Sequence, residues 1–351
     1  MSEAEPEQRA QPLEDAPAGR VLVAGAAGLA GALAADLVWS HPRLELVAAT
    51  ARSDAGERLD RLHPRRRAAV ELETLDLDRH AELCDLALVS YPHGAAAEAV
   101  DGLRARGVRV IDLSADFRLS DAATYERWYG DHGAPDRFGS AVYGLPELGE
   151  RERIAGADLV ANPGCYPTAA LLALAPLAES GLIASLAIDA KSGVSGAGRS
   201  GGERLSFVSV TENLIPYSVG GHRHEPEIAE RLDALGYSGE LTFTPHLLPV
   251  DQGLLASCYV DLADPLSQDE LGGLYAGRYA GERFVELVGA PPGIRDVRES
   301  NLCRVHVVSA LGGRRAIVFA AIDNLWKGAA SQAIQNVNLM LGLDEGIGVA
   351  R

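Results

Sequence analysis

Arg20-Val21-Leu22-Val23-Ala24-Gly25-Ala26-Ala27-Gly28-Leu29-Ala30-Gly31 decides the fold class. Arg20 to Ala24 read as a short buried strand, and Ala32 to Val38 as an apolar helix. Between them Gly25, Gly28 and Gly31 form a GxxGxxG turn. At a first strand–helix junction such glycines permit a tight turn, let the backbone approach a pyrophosphate and bring helix and strand close. Gly25, Ala27, Gly28, Leu29, Ala30 and Gly31 are therefore the expected dinucleotide cradle. A tight turn without a ligand is the plain alternative.

The pattern then repeats as an α/β sheet should. Leu44 to Ala49 read as a second strand, ending in Thr50-Ala51-Arg52-Ser53. An NAD site usually carries Asp or Glu there for the ribose 2′-hydroxyl. This chain has no acid before Asp54, so Arg52 and Ser53 point to a 2′-phosphate and hence NADPH. A solvated loop arginine is the alternative reading of Arg52. Asp85 to Ser90 and Gly107 to Asp112 are further buried strands. Ligands sit beyond the C-terminal strand ends, which places Ser90, Pro92, Ser114 and Arg118 on the ligand side. Arg118 reads equally as a local ion pair with Asp116, and His93, beside Gly94, reads as structural. Residues 127–147 form a long aromatic and glycine-rich connection, and Leu159 to Ala161 a sixth strand.

That strand leads into Asn162-Pro163-Gly164-Cys165-Tyr166-Pro167-Thr168 and an apolar helix. Pro167 suits a first helical turn. A thiol there meets unpaired N–H groups and the positive end of the dipole, which favour the nucleophilic thiolate. A small packed cysteine is the alternative.

Beyond the cysteine the pattern changes. Leu186 to Ala190 read as a strand, followed by a glycine-rich loop from Lys191 to Arg199 able to present N–H groups and cations to an anion. His222-Arg223-His224 precede another helix. No acid or cysteine at ligand spacing accompanies the two histidines, so no metal is expected; acid/base work suits a histidine ahead of a helix, and a neutral structural histidine is the alternative for either one. Strands over 240–249, 254–262, 302–310 and 315–322 follow without intervening helices, the last two around the hairpin turn Leu311 to Arg314. That order argues for a mostly antiparallel sheet. A helix from Asp323 through Met340 closes the chain.

Composition sets the bounds. The chain has 351 residues, 47% hydrophobic and 23% charged, with room for two domains. A formal charge of −17 argues against nucleic acid or anionic membrane as a partner. The four cysteines, Cys84, Cys165, Cys258 and Cys303, show no CxxC spacing, which suits a reducing, cytoplasmic setting. Residues 1–19, rich in Glu, Pro, Ala and Gln, read as a disordered tail without signal-peptide character. No apolar run reaches the ~18–20 residues of a membrane span.

Several stretches together resemble the N-acetyl-gamma-glutamyl-phosphate reductase family, NADPH-dependent acyl-phosphate reductases of arginine biosynthesis. They are Gly25 to Gly31, Asp112 to Leu119, Val142 to Glu147, Asn162 to Thr168, Lys191 to Arg199, His222 to Ile228, Phe243 to Pro249 and Asp323 to Ala330, in family order. A sister reductase of the lysine pathway, acting on a carrier-linked 2-aminoadipyl phosphate, is the nearest alternative.

The resemblance implies a Rossmann-type parallel-sheet domain over 20–163 and 325–351. It further implies an α+β catalytic and dimerisation domain over 164–324. Cys165 is implied as nucleophile, His224 as acid/base and Asn324 as a contact of the nicotinamide end. Arg118, Ser192, Arg199 and His222 are the residues expected around a small acyl-phosphate substrate, in a homodimer or homotetramer. One stretch departs: where the family usually continues Met, a variable residue and Arg-Gly, this chain has Val250-Asp251-Gln252-Gly253.

Overall fold

The computed structural model describes residues 16–199, 202 and 205–349. Two compact units emerge. One runs to Pro163 and resumes at Ala329–Val349; the other is Gly164–Gly328. Most of the tail expected over 1–19 lies outside the described residues, and Gly19 already belongs to the first strand.

The first unit alternates strand and helix: β1 (Gly19–Ala24), α1 (Leu29–Ser40), β2 (Leu44–Thr50), α2 (Leu59–Leu62), β3 (Leu72–Glu73), α3 (Leu77–Leu83), β4 (Leu86–Val89), α4 (Ala97–Ala105), β5 (Arg109–Asp112), α5 (Ala122–Tyr129), β6 (Val142–Tyr143), α6 (Arg151–Ala155) and β7 (Leu159–Ala161). The sheet has seven strands in the order β3-β2-β1-β4-β5-β7-β6, every pair parallel. The strand before Cys165 is thus the seventh rather than the sixth. β3 and β6, two residues each, are too short to leave a period in the sequence. Val21, Leu22, Val23 and Ala24 are all buried, the continuous apolar run of a parallel strand covered on both faces. The strand order reverses between β1 and β4, which marks the ligand crevice of such sheets.

A buried polar network sits at the end of β5. The Asp112 carboxylate accepts from the Ser114 N–H at 2.9 Å and its hydroxyl at 2.6 Å. Asp116 accepts from the N–H groups of Gly94, Ala96 and Ala97 and from the Tyr125 hydroxyl. Burial, then the Asp116 charge, pushes Asp112 up to about 7, against the pull of Ser114 and Arg118.

The second unit contains α7 (Cys165–Glu179), β8 (Ile183–Gly193), α8 (Phe207–Val210), β9 (Ile215–Pro216), α9 (Glu225–Ala234), β10 (Leu241–Leu248), β11 (Leu254–Leu262), α10 (Gln268–Arg278), β12 (Val285–Leu287), β13 (Cys303–Ala310) and β14 (Arg315–Ile322). Its seven-stranded sheet runs β12-β13-β14-β11-β8-β10-β9. Pairing is antiparallel except for β12 with β13 and β8 with β10. α7 is buried from Tyr166 to Ala178 and packs on β11 and β14. A helix apolar all round belongs in a core. Burial alternates along the strands: Ile188, Ala190, Cys258, Val260, Val318 and Ala320 are buried, whereas Ala187, Leu255, Tyr259, Val308, Ile317 and Phe319 on the opposite face are partly exposed.

After β14 the chain makes a π-turn at Trp326–Ala330 and then α11 (Ser331–Met340), which belongs to the first unit from Ala329 on. α11 is held there by amides. Asn336 Nδ2 donates to Gly144 O and Asn162 Oδ1, and Gln335 Nε2 to Glu147.

The Asp112 shift gives a stability prediction. A carboxyl whose pKa rises on folding contributes stability below its unfolded value near 3.9 and loses it as pH climbs through about 7. Asp112→Asn removes that loss, so the melting temperature of the variant relative to wild type should climb between about pH 4 and pH 8. A difference constant with pH would show that Asp112 stays ionised in the folded chain.

Candidate active site

In the first unit the glycine turn is shaped by its neighbours. Gly25 has φ +87°, and a Cβ there would stand 2.5 Å from Ser90 O, so the loops after β1 and β4 touch at this point. A Cβ on Gly31 would run into Gly25 O, which explains the third glycine by helix–strand packing. Gly28 is different: φ is −77°, and a Cβ would meet only Gly25 O at 3.6 Å, an ordinary contact. The fold itself does not demand glycine at 28, and the position leaves room for close backbone approach by a phosphate. Gly28 is also the N-cap of α1 without a side-chain cap bond, so Leu29, Ala30 and Gly31 stand in the first turn where an anion is favoured. Ala27 O is held by His63 Nε2 at 2.9 Å. These residues fit a dinucleotide.

At the end of β2, Arg52 is exposed, with its guanidinium 4.8 Å from the Tyr91 ring centroid and Nη2 donating to Ala95 O at 3.2 Å. Ser53 Oγ donates to Asp54 at 2.8 Å. Ser90 N donates to Ala24 O at 2.7 Å, and Pro92 is exposed beside it. Ser114 is buried, its hydroxyl on Asp112, so it shapes the β5 end from inside. His93 Nδ1 accepts from Ala115 N, in keeping with its structural reading. Arg118 is 4% exposed and donates to Asn162 O at 2.8 Å and Leu113 O at 2.8 Å. It holds the backbone three residues ahead of Cys165.

In the second unit Cys165 is the first residue of α7, with Gly164 as N-cap and no side-chain cap bond. Cys165 is half-buried, whereas Cys84, Cys258 and Cys303 are buried. A Cβ on Gly328 would stand 2.7 Å from Cys165 Cβ, so backbone at 328 lies directly against the nucleophile candidate. The Gly164 N–H donates to the buried Glu227 carboxylate at 2.9 Å. Glu227 sits in the first turn of α9, whose N-cap is His224. The starts of the cysteine helix and the histidine helix are thereby joined.

An aromatic cluster surrounds this junction. The His222 ring meets those of Tyr166, Tyr217, His224 and Phe243 edge-on, with centroids 5.0–5.6 Å apart. His222 Nδ1 accepts from His224 N at 3.1 Å. Burial and then Arg223 push His222 down to about 4, so it is neutral near pH 7 with its proton on Nε2. Tyr217 donates to the Tyr166 hydroxyl at 3.2 Å; burial raises both phenols, Tyr217 to about 12.

One expectation changes here. Lys191 to Gly193 are not loop: β8 continues through Gly193, because Ser192 pairs with Leu247 of β10 and Leu254 of β11. Ser192 is consequently 2% exposed, its hydroxyl donating to Gly193 O at 3.2 Å, and Lys191 is paired with Asp189 at 2.6 Å on the other sheet face. Arg199 stands exposed beyond the Val194–Ala197 turn. Asn324 belongs to this unit and is 2% exposed; its Oδ1 accepts from Gly253 N at 2.8 Å and its Nδ2 donates to Ser195 Oγ at 3.0 Å. Gln252 is 3% exposed, and its backbone O accepts from Arg298 at 3.0 Å. No group of three His, Cys, Asp or Glu among the described residues is placed to hold a metal ion. No helix among them is long and apolar enough to cross a membrane.

Comparison with known proteins agrees with this geometry. Residues 20–157 match the family model described as semialdehyde dehydrogenase, NAD binding domain, and residues 165–324 match semialdehyde dehydrogenase, dimerisation domain. An N-acetyl-gamma-glutamyl-phosphate reductase of Moorella thermoacetica is 46% identical over 331 residues, covering 92% of this chain and 95% of that protein. The chain belongs to the N-acetyl-gamma-glutamyl-phosphate reductase family. The Azotobacter vinelandii member is 45% identical, covering 94% of this chain and 98% of its own length. Among solved structures, aspartate semialdehyde dehydrogenase II from Vibrio cholerae superposes with a TM-score of 0.71 at 19% identity, covering 92% of this chain and 98% of its own. The Candida albicans aspartate semialdehyde dehydrogenase with NADP gives 0.67 at 15% identity, covering 92% and 98%. At such identities the likeness shows the fold alone.

Glu227, Tyr217 and Gly328 are site features that sequence reasoning missed. The only local sign was Glu227 standing three residues after His224, the spacing of a first helical turn.

The burial pattern predicts thiol reactivity. Burial, then the Asp85 charge, pushes Cys84 up to about 11, and burial raises Cys258 as well. Iodoacetamide at neutral pH should alkylate Cys165 first in the native chain, with the other three labelled only after denaturation. Early labelling elsewhere would contradict this order.

Proposed function

We propose that the chain reduces N-acetyl-gamma-glutamyl phosphate to N-acetylglutamate semialdehyde with release of phosphate, in the cytoplasm, through a thioester on Cys165. The observation that carries the reading is Cys165 at the first position of α7, joined through Gly164 and Glu227 to the helix that His224 caps. The names of the 43–46% identical relatives support the substrate.

The chemistry follows from the parts. Cys165 sulfur, as thiolate at a helix start that favours an anion, attacks the acyl carbon. The oxyanion that forms is met by N–H groups of the first turn of α7. Collapse breaks the carbon–oxygen bond to phosphate and leaves the thioester. NADPH, when bound, supplies the hydride that converts the thioester to the aldehyde and returns the thiolate. His224 moves the proton, and neutral His222 offers an Nε2–H donor to the substrate. Gly25, Ala27, Gly28, Leu29, Ala30 and Gly31 would hold the pyrophosphate, with Ser90 and Pro92 beside them and Arg52 and Ser53 at the 2′-phosphate. Ser114 supports the β5 end of that site, and Asn324 is the residue that the resemblance would assign to the nicotinamide end. Arg118, Ser192 and Arg199 complete the substrate assignment; Arg118, being buried, acts by holding the Asn162 backbone.

Kinetics test these roles. Cys165→Ser should abolish substrate-dependent NADPH oxidation, and His224→Gln should cost about 10²–10⁴-fold in kcat/KM. Because His222 is already neutral above about pH 4, His222→Gln should keep the acid limb of the pH–rate profile that His224→Gln removes. A Cys165→Ser enzyme with wild-type turnover would end the thioester reading.

The partly exposed face of the second sheet supports a homo-oligomer in which a second copy covers Tyr259, Ile317 and Phe319. The family model over these residues is described as a dimerisation domain. Phe319→Glu should shift sedimentation from a dimer or tetramer toward monomer, and a wild-type chain sedimenting as monomer would refute the assembly.

A further inference from the structure

Selectivity for NADPH rests on Arg52 and Ser53, yet an exposed arginine on a loop is a poor discriminator unless something fixes it. Its side chain has many rotamers, and holding one of them at the moment of binding weakens the complex. In this structure the guanidinium is already placed. It lies 4.8 Å from the centroid of the Tyr91 ring, and Nη2 donates to Ala95 O at 3.2 Å. Both supports come from one loop, the connection from β4 to α4, which is itself tightened by the Ala95 N bond to Pro92 O at 3.0 Å.

Tyr91 is well suited to the task. It is 8% exposed, so its ring is held by the protein rather than by solvent. The same ring also stands against the phosphate turn: Cδ1 lies 3.1 Å from where a Cβ on Gly25 would be. One buried aromatic face thus touches the first glycine of the cradle and carries the cation at the end of β2. Cation–π attraction keeps a guanidinium over a ring without using the N–H groups that a phosphate needs. Ser53 is less available for that work, since its hydroxyl is donated to Asp54 at 2.8 Å. Asp54 is the group a 2′-hydroxyl would use, and its partnership with Ser53 leaves Arg52 as the side chain aimed by the fold.

We propose that Tyr91 is a positioning residue for cofactor selectivity, holding Arg52 for the 2′-phosphate of NADPH. The proposal rests on the NADPH reading above, and the experiment separates the two. Kd for NADPH and for NADH, by fluorescence titration without substrate, and KM for each are measured on wild type, Arg52→Ala, Tyr91→Phe, Tyr91→Leu and the Arg52→Ala/Tyr91→Leu double variant. Arg52→Ala should raise KM for NADPH by about tenfold or more and leave NADH nearly unchanged. Tyr91→Leu should raise KM for NADPH roughly two- to fivefold with NADH unmoved. Tyr91→Phe, which keeps the ring, should retain the NADPH/NADH ratio. In the Arg52→Ala background Tyr91→Leu should add nothing, since its effect passes through the arginine. If Arg52→Ala leaves cofactor preference untouched, the NADPH reading fails. If Arg52→Ala acts but Tyr91→Leu weakens both cofactors equally, or adds to the arginine loss in the double variant, Tyr91 merely packs against Gly25 and the proposal is overturned. Should Tyr91→Leu fail to fold, Tyr91→Met, longer and more adaptable, carries the same comparison.

Discussion

The hydrogen bond from the Gly164 N–H to the Glu227 carboxylate, 2.9 Å long and out of contact with water, is the constraint on which the catalytic unit depends. A buried carboxylate is costly unless it is met by donors and positive potential. Here the first turn of α9 and the N-cap of α7 supply both. The same bond satisfies a backbone donor at the head of a helix that is buried along nearly its whole length. Leaving that donor unmet would cost about 1–3 kcal/mol. Two helix starts converge because one acid needs them both, and Cys165 and His224 are carried along.

Around that junction the structure uses rings where a polar network might be expected. His222, Tyr166, Tyr217 and Phe243 pack edge to face, so the site is stiff and dry on one side. Burial lowers the His222 imidazole and raises both phenols. On the other side, Gly328 lies against the Cys165 β-carbon because the chain is anchored by Asp323, whose buried carboxylate accepts from the N–H groups of Glu299, Leu325 and Trp326. Backbone at Gly328 therefore lies on one flank of Cys165.

Much of this was legible in the chain. The apolar run Val21 to Ala24 ahead of three spaced glycines announces a parallel sheet and its ligand edge, since both signals are local. Gly28 was legible only as one of three glycines in a turn; the room around it is visible in the structure alone. What stayed hidden depends on pairing distant in sequence. Ser192 and Gly193 read as turn residues, yet β10 and β11 on either side draw them into β8. β3 and β6 owe their existence to neighbouring strands rather than to any period of their own. Arg118 is bonded to Asn162 O, a partner 44 residues away that no local pattern names.

The return of α11 to the first unit has a consequence for the order in which the protein is made. Asn162, Gly144 and Arg109 wait for hydrogen bonds to Asn336 and Met340, which leave the ribosome only after the whole of Gly164–Gly328. At about 5–20 residues per second, that intervening unit takes on the order of ten seconds or more to synthesise. During that interval the parallel sheet is present but lacks its last helix, while the nucleophile's unit can fold as it emerges. Premature termination near the C-terminus would therefore strike the nucleotide end of the enzyme and spare the fold around the cysteine. The final helix acts as the latch of a domain that was begun first and is finished last.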